Sequence, residues 1–283
     1  MNEPGLEGSI QQLYPQREDG LELKGTYLKH DLRSKAAGGV FFYANFISSL
    51  DGRIATAQEG AGLGVPGQTA NARDWRLFQE LAVQSDLVIS SGRYLRDYAS
   101  GAAQEILQIY DDPTLADLEN WRRSRGLSAY PDLAIVSRSL EFNLPQQLLE
   151  GGRSFVVITT ENSDAARKRE LRSRTIEVLE CGVDDVEGTR MAAALEALGY
   201  RLIYSAAGPR IAHMLLAGGV LNRLYLTFAL RLLGGAEFAS IIEGGLFEPP
   251  VDLRLLSLYY DRHAPGPAGQ LFAAFDVVQR QNR

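Results

Sequence analysis

From residue 40 onward, short apolar runs rich in β-branched and aromatic residues alternate with segments of helical period. This alternation restricts the fold more than any single motif does. The runs cover residues 40–48, 86–90, 133–137, 154–160, 175–180, 201–205 and 223–230, with two later candidates at 253–260 and 271–278. Each has the length and composition of a strand. Between them, residues 69–84 set Trp75, Phe78, Leu81 and Ala82 on one stripe, and residues 187–198 do the same with Met191, Leu195 and Leu198. Residues 209–216 open on Pro209, which suits a first helical turn. Strands separated by helices need crossovers, so the sheet is predicted to be mostly parallel, twisted, and covered by helices on both faces. The last two runs have no helix between them and predict an antiparallel C-terminal edge.

The 283 residues, 45% of them hydrophobic, suffice to bury a substantial core. Residues 1–38 lack sustained periodicity and read as an N-terminal arm laid over a domain of residues 39–283, with a short ordered piece near 21–28. Residues 101–130 carry dense charge ("DDPTLADLENWRRSRG") and read as a helical surface excursion, opened by Asp112-Pro113 or Thr114 and closed by Gly126. A formal net charge of -6, with no run of five like charges, gives no electrostatic footprint for nucleic acid or an anionic membrane. The expected partner is therefore a small molecule. No stretch of about 18 apolar residues and no basic-then-apolar N-terminus is present, so the expected location is the cytoplasm.

In an open parallel sheet, ligands bind outside the carboxyl ends of the strands. Four segments fall there: "SSLDG" (Ser48 to Gly52), "SSGRYLRD" (Ser90 to Asp97), "VSRSL" (Val136 to Leu140) and "SAAGPR" (Ser205 to Arg210). The small residues of the last let backbone N–H groups and a helix N-terminus approach a phosphate, although such turns also serve plain packing. Arg93 and Arg138 are placed to hold a second phosphate, such as one on a ribose 2′ position, by charge-assisted hydrogen bonds. Asp51-Gly52 is a turn pair whose aspartate either bonds its own backbone or faces a ligand. His30, His213 and His263 have no metal-ligand spacing, so no metal is expected. Cys181 reads as a small buried hydrophobe, and the H-x-E and P-C-x-x-C of a zinc deaminase are absent. "EGG" at Glu243 to Gly245 reads as a loop.

Taken in order, these motifs resemble the reductase domain of bacterial riboflavin biosynthesis, a family with the dihydrofolate-reductase-like fold. "ANFISSLDGRIA" (Ala44 to Ala55) is similar to the family's N-M-x-x-S-L-D-G-x-x-A, with Phe46 where methionine is usual. "DLVISSGRYLRD", "AIVSRSL" and "AAGPRIAHMLLAGGVLNRLYLTFALRLLGG" follow its later strands and its E-G-G-P-T-L turn. The resemblance implies hydride transfer from NADPH to the ribosyl C1′ of 5-amino-6-(5-phosphoribosylamino)uracil. It places Ser90, Ser91, Gly92, Arg93, Ser137 and Arg138 on the nucleotide, and Ala207, Gly208, Pro209 and Arg210 on the pyrophosphate. Asn45, Ser49, Asp51 and Arg96 fall on the substrate side, with Asp51 as the candidate proton donor. It also implies a homodimer. Ala206 and Ala207 stand where the family has glutamate and glycine, Arg93 where it has threonine, and Asn222-Arg223 where it has Asp-Glu. Two alternatives follow: a reductase of a pterin or folate-like ring, or a diverged nucleotide-binding protein without turnover. Arg53, Arg73, Arg76 and Arg96 are the cations available for a substrate phosphate.

Overall fold

The computed structural model describes residues 5–58, 62–150 and 152–279; the first four residues of the expected arm and the last four of the chain lie outside them. In chain order the strands are β1 (Ile10–Tyr14), β2 (Glu18–Leu21), β3 (Phe41–Ser49), β4 (Ala55–Gln58), β5 (Gly62–Gly64), β6 (Leu87–Ser91) and β7 (Asp132–Val136). They continue as β8 (Phe155–Thr159), β9 (Glu177–Glu180), β10 (Leu202–Ser205), β11 (Leu221–Ala229), β12 (Phe238–Ala239), β13 (Leu253–Asp261) and β14 (Gln270–Val277). The helices are α1 (Leu32–Lys35), α2 (Ala72–Ala82), α3 (Gly92–Ala99), α4 (Ala116–Ser124), α5 (Gln146–Glu150), α6 (Ala165–Ser173), α7 (Gly188–Ala197) and α8 (Pro209–Ala217). Among the described residues the main sheet runs β2-β1-β13-β14-β11-β3-β10-β6-β7-β8-β9. From β11 to β9 every neighbouring pair is parallel, and from β2 to β11 every pair is antiparallel. This is the mostly parallel α/β sheet with an antiparallel edge that the alternation predicts.

Strand parity splits the core into two layers. On one face Tyr43, Tyr204, Val88 and Ile135 pack against Leu77 and Leu81 of α2, Leu95 of α3, Leu118 of α4 and Leu171 of α6. On the other, Phe42, Ile89, Ala134 and Ile203 pack against Met191 and Leu195 of α7 and Ala212 and Leu215 of α8. Parallel strands buried on both sides explain the near-continuous apolar runs in the sequence.

Part of the segment that reads as an arm continues the sheet instead. β1 and β2 form a hairpin, and β1 pairs with β13. "IQQLY" and "EDGL" hide this because an edge hairpin half open to solvent needs few β-branched residues. Behind it, Glu80 of α2 accepts hydrogen bonds from the backbone N–H of Gly25 (2.6 Å) and Tyr27 (2.9 Å). The 101–130 excursion docks on the same helix. Arg76 joins Glu80 and Asp117, while Arg122 donates to the carbonyls of Val83 and Ser85 just past the end of α2. Asp112 caps the turn leading into α4, and Gly126, at φ 65°, follows its end. A small sheet, β12-β4-β5, lies beside the α8 face through Ile54 and Ala239. Among the described residues no helix is long and apolar enough to cross a membrane.

Candidate active site

β10 and β6 are hydrogen-bonded neighbours, yet the helices that follow them leave to opposite faces, α8 to one and α3 to the other. Their divergence opens a crevice at the carboxyl ends of the two strands, which is the ligand position in sheets of this type. Both helix N-termini there lack a side-chain cap: neither Ser91 before α3 nor Gly208 before α8 has one. Asn71 caps α2 and Asp164 caps α6, whereas α1, α4 and α7 also start without a side-chain cap; what sets α3 and α8 apart is that both open starts face the same crevice. Uncapped N–H groups with a positive helix end form an anion site. Beside α8 the Ser205 hydroxyl is 1% exposed and has no hydrogen-bond partner. A buried hydroxyl without a partner is costly unless a ligand completes it.

Two glycines shape the crevice in different ways. A Cβ on Gly92 would lie 3.1 Å from the Ser137 Oγ and 3.2 Å from the Phe142 ring, so any larger residue at the start of α3 would push on the segment after β7 by a few tenths of an ångström. A Cβ on Gly208 would meet nothing within 4 Å. That space is free for a ligand. Ser90, Ser137 and Ala207 are buried around the crevice. The methyl of Ala207 packs in the α8-side core, which leaves the approach to α8 open where the motif departs from glycine. Pro209 takes the first helical position of α8, and Arg210 is 88% exposed beside it, 4.0 Å from Glu243.

The two arginines expected to clamp a second phosphate do not meet. Arg93 donates to the Leu63 carbonyl of β5 at 2.6 Å and pairs with Asp97, and Arg138 pairs with Asp185 at 3.0 Å. Both side chains are more than half exposed, so these are weak surface pairings. Arg96 lies apart from the substrate-side residues. It donates to the Glu141 carbonyl on the outer flank of α3, in a groove it shares with Arg167.

At the end of β3, Asp51 answers both readings of its turn. Gly52 follows at φ 81°, as the tight turn requires. The Asp51 carboxylate accepts from the Ser49 hydroxyl (2.5 Å), from the backbone N–H of Gly234 (2.8 Å) and Leu233 (3.2 Å), and pairs with Arg53 at 2.7 Å. It ties the β3–β4 turn to the segment after β11. The Ser49 hydroxyl, the backbone donors and the arginine hold its pKa down to about 2. An acid so strong is ionised at neutral pH and has no proton to give, so the expected role of Asp51 as proton donor does not fit; it is a tether.

The group suited to proton donation lies across the sheet face. Asp74, in the first turn of α2, hydrogen-bonds to the Thr227 side chain of β11, and burial pushes its carboxyl up to about 6. On the same face Asn45 accepts a hydrogen bond from the Tyr204 hydroxyl, and the Tyr204 ring stacks on Tyr43 and meets Phe78 edge-on. Asn45 and Ser49 of β3 therefore share this side with Asp74. The sequence held a signal for Asp74: it precedes Phe78 by four residues and Leu81 by seven, so an acidic residue sits on the apolar stripe of α2. Ser205 gave none beyond its place at a strand end. Among the described residues no group of three or more His, Cys, Asp or Glu could hold a metal. Cys181 is buried, its thiol pushed up to about 11 by burial, and His213 stacks on Phe247 and bonds the Gly245 carbonyl, fixing the "EGG" loop.

The sequence model for the RibD C-terminal domain matches residues 41–262. A pyrimidine reductase-like protein of Corynebacterium diphtheriae has a similar structure, with TM-score 0.64 and 19% identity over 87% of this chain and 95% of its own. The riboflavin biosynthesis reductase of Saccharomyces cerevisia aligns over 89% of this chain and 99% of its own, with TM-score 0.56 and 12% identity. RibD of Acinetobacter baumannii aligns over 87% of this chain but 60% of its own, with TM-score 0.56 and 15% identity. At these identities the likeness is one of fold. No curated protein matches by sequence.

Proposed function

The chain belongs to the RibD C-terminal domain family, and on that premise we propose that it is an NADPH-dependent reductase that converts 5-amino-6-(5-phosphoribosylamino)uracil to its ribitylamino product. The observation that carries the reading is the crevice between β10 and β6, with its two uncapped helix N-termini and the unpartnered Ser205 hydroxyl. A dinucleotide pyrophosphate satisfies all three. Gly208 leaves room for it, and Arg210 is free to reach it. Arg93 and Arg138 can turn to a 2′-phosphate by giving up exposed partners that are worth little.

The bound dihydronicotinamide supplies a hydride to C1′ of the substrate. As the C1′–H bond forms, the bond from C1′ to the ring oxygen breaks, and that oxygen takes a proton. Asp74 provides it, since burial holds a share of its carboxyl protonated near neutral pH. Asn45 borders the same face, its side chain held by the buried Tyr204 hydroxyl, and the Asp51 tether fixes the loop beside it.

A second reading, reduction of a pterin-like ring, is favoured by one observation: Arg53, Arg73 and Arg76 are each committed to a carboxylate inside the protein. Assay of NADPH oxidation with the aminouracil phosphoribosyl substrate and with a dihydropterin separates the two. Turnover of the first and not the second supports the proposal; the reverse transfers it to the pterin. Binding of NADPH without turnover of either identifies a nucleotide-binding protein that has lost catalysis.

A further inference from the structure

If the substrate carries a phosphate, three of the four arginines first assigned to it are consumed internally and the fourth lies elsewhere. Arg53 pairs with Asp51 at 2.7 Å, Arg73 with Asp261 at 2.7 Å in full burial, and Arg76 with both Glu80 and Asp117. Arg96 is on the outer flank of α3. Arg231 remains. It follows β11 and lines a cavity of about 150 Å³ between the segment leading into α2 and the β13–β14 turn, with Thr69, Asn71, Ala229 and Gln270 among its walls.

Arg231 is held for this position and is not neutralised there. Its own N–H donates to the Ala229 carbonyl (2.7 Å), and its carbonyl accepts from Leu50 (2.9 Å), fixing the backbone on both sides. Its guanidinium donates to the Pro265 carbonyl at 2.7 Å, and among the described residues no carboxylate forms an ion pair with it. The adjacent Asp261 is occupied by Arg73 and Gln270. Gly266 leaves room for the guanidinium: at φ 105°, a Cβ there would lie 2.3 Å from an Arg231 terminal nitrogen in its present position. The cavity is also in register with the rest of the site. Ala229 pairs with Ser49 of β3 and stands two residues beyond Thr227, the partner of Asp74, a step of about 7 Å along the strand. That is the reach of a pentose bearing a terminal phosphate.

We propose that Arg231 and this cavity form the subsite for a terminal phosphate monoester of the substrate. The proposal rests on the reductase reading for its substrate, but the subsite can be tested without turnover. Ribose 5-phosphate and ribose are titrated by calorimetry into the wild type and into Arg231→Met and Arg231→Lys. The phosphate ester, and not ribose, is expected to bind the wild type, to weaken roughly tenfold in Arg231→Met and less in Arg231→Lys, which keeps the charge but not the fork. Steady-state kinetics then reads the same subsite as KM. Arg231→Met raises KM for the phosphorylated substrate while the NADPH Kd stays at the wild-type value. Loss of ribose 5-phosphate binding in Arg231→Met with no turnover of the aminouracil by the wild type would leave the subsite standing and overturn the substrate. Equal binding of ribose 5-phosphate to wild type and Arg231→Met, or none to the wild type, would overturn the subsite whatever the activity.

Discussion

Replacing Asp74 by asparagine keeps shape and the capacity to bond Thr227 while removing the titration. The Asp74 carboxyl stands at about 6 against the ordinary aspartate value of 3.8, raised by burial and partly offset by the hydrogen bond from Thr227. A displacement of about two pH units is worth about 3 kcal/mol between the two protonation states. Its sign is set by the direction. The folded protein takes up this proton more readily than the unfolded chain, so the contribution to stability is full below the unfolded value and is lost as pH rises through about 6. Near pH 4 wild type and Asp74→Asn should therefore unfold at similar urea concentrations, while near pH 8 the variant should be the more stable by up to about 3 kcal/mol. Taking the difference between the two proteins at each pH cancels every other titrating group. In activity the order reverses. Wild-type turnover should fall as pH rises through about 6, as the donor loses its proton, and the variant should be slow and flat across the same range. A stability difference that is the same near pH 4 and near pH 8 would refute the account of a carboxyl held up by burial.

Two further perturbations address residues that the sequence placed near a ligand. Arg73→Ala should destabilise the protein by about 3–5 kcal/mol, because it leaves Asp261 buried and without its ion pair. Replacing both partners with apolar residues should recover much of that, as urea denaturation of the single and double variants would reveal; a stable Arg73→Ala with only a raised KM would return Arg73 to the substrate site. Asp51→Asn should loosen the tether to residues 233–234 without altering the shape of the pH–rate profile. The Asp51 carboxylate contributes stability that is present above its unfolded value and lost only as pH falls through about 2. Faster hydrogen exchange at Leu233 and Gly234 with an unshifted profile is the expected result; a lost acidic or basic limb would mean that Asp51 moves a proton after all.

The parallel layer was legible in the sequence because strands buried on both faces leave continuous apolar runs, and the run at 201–205 is found as Leu202–Ser205. The helix predicted at 209–216 is found as Pro209–Ala217, since proline at a first turn is a strong local signal. What the sequence hid shares one physical cause: it depends on partners distant in the chain. The β1–β2 hairpin is ordered by β13, more than two hundred residues away. At the site, the small residues at strand ends pointed to the crevice, but the state of each charged side chain did not follow from its spacing. Arg73 reads as a cation available for a substrate phosphate and is instead fully buried against Asp261, while Asp51 reads as a proton donor and is held ionised by donors that include residues 233–234. Asp74 was readable as an acidic residue on an apolar stripe; that it meets Thr227 required the sheet.

Dinucleotide binding in the crevice between α3 and α8 is tested by calorimetric titration of NADPH into the wild type and into Gly208→Val. Because a Cβ at position 208 meets nothing within 4 Å and the residue has an ordinary φ of -72°, valine should leave the fold intact, at the small stability cost of a poorer N-cap, while filling the approach to α8. The account predicts NADPH binding with a Kd on the order of micromolar for the wild type, weakened at least roughly tenfold, about 1.4 kcal/mol, in Gly208→Val. Equal NADPH affinity in the two proteins, or no binding by the wild type, would contradict it.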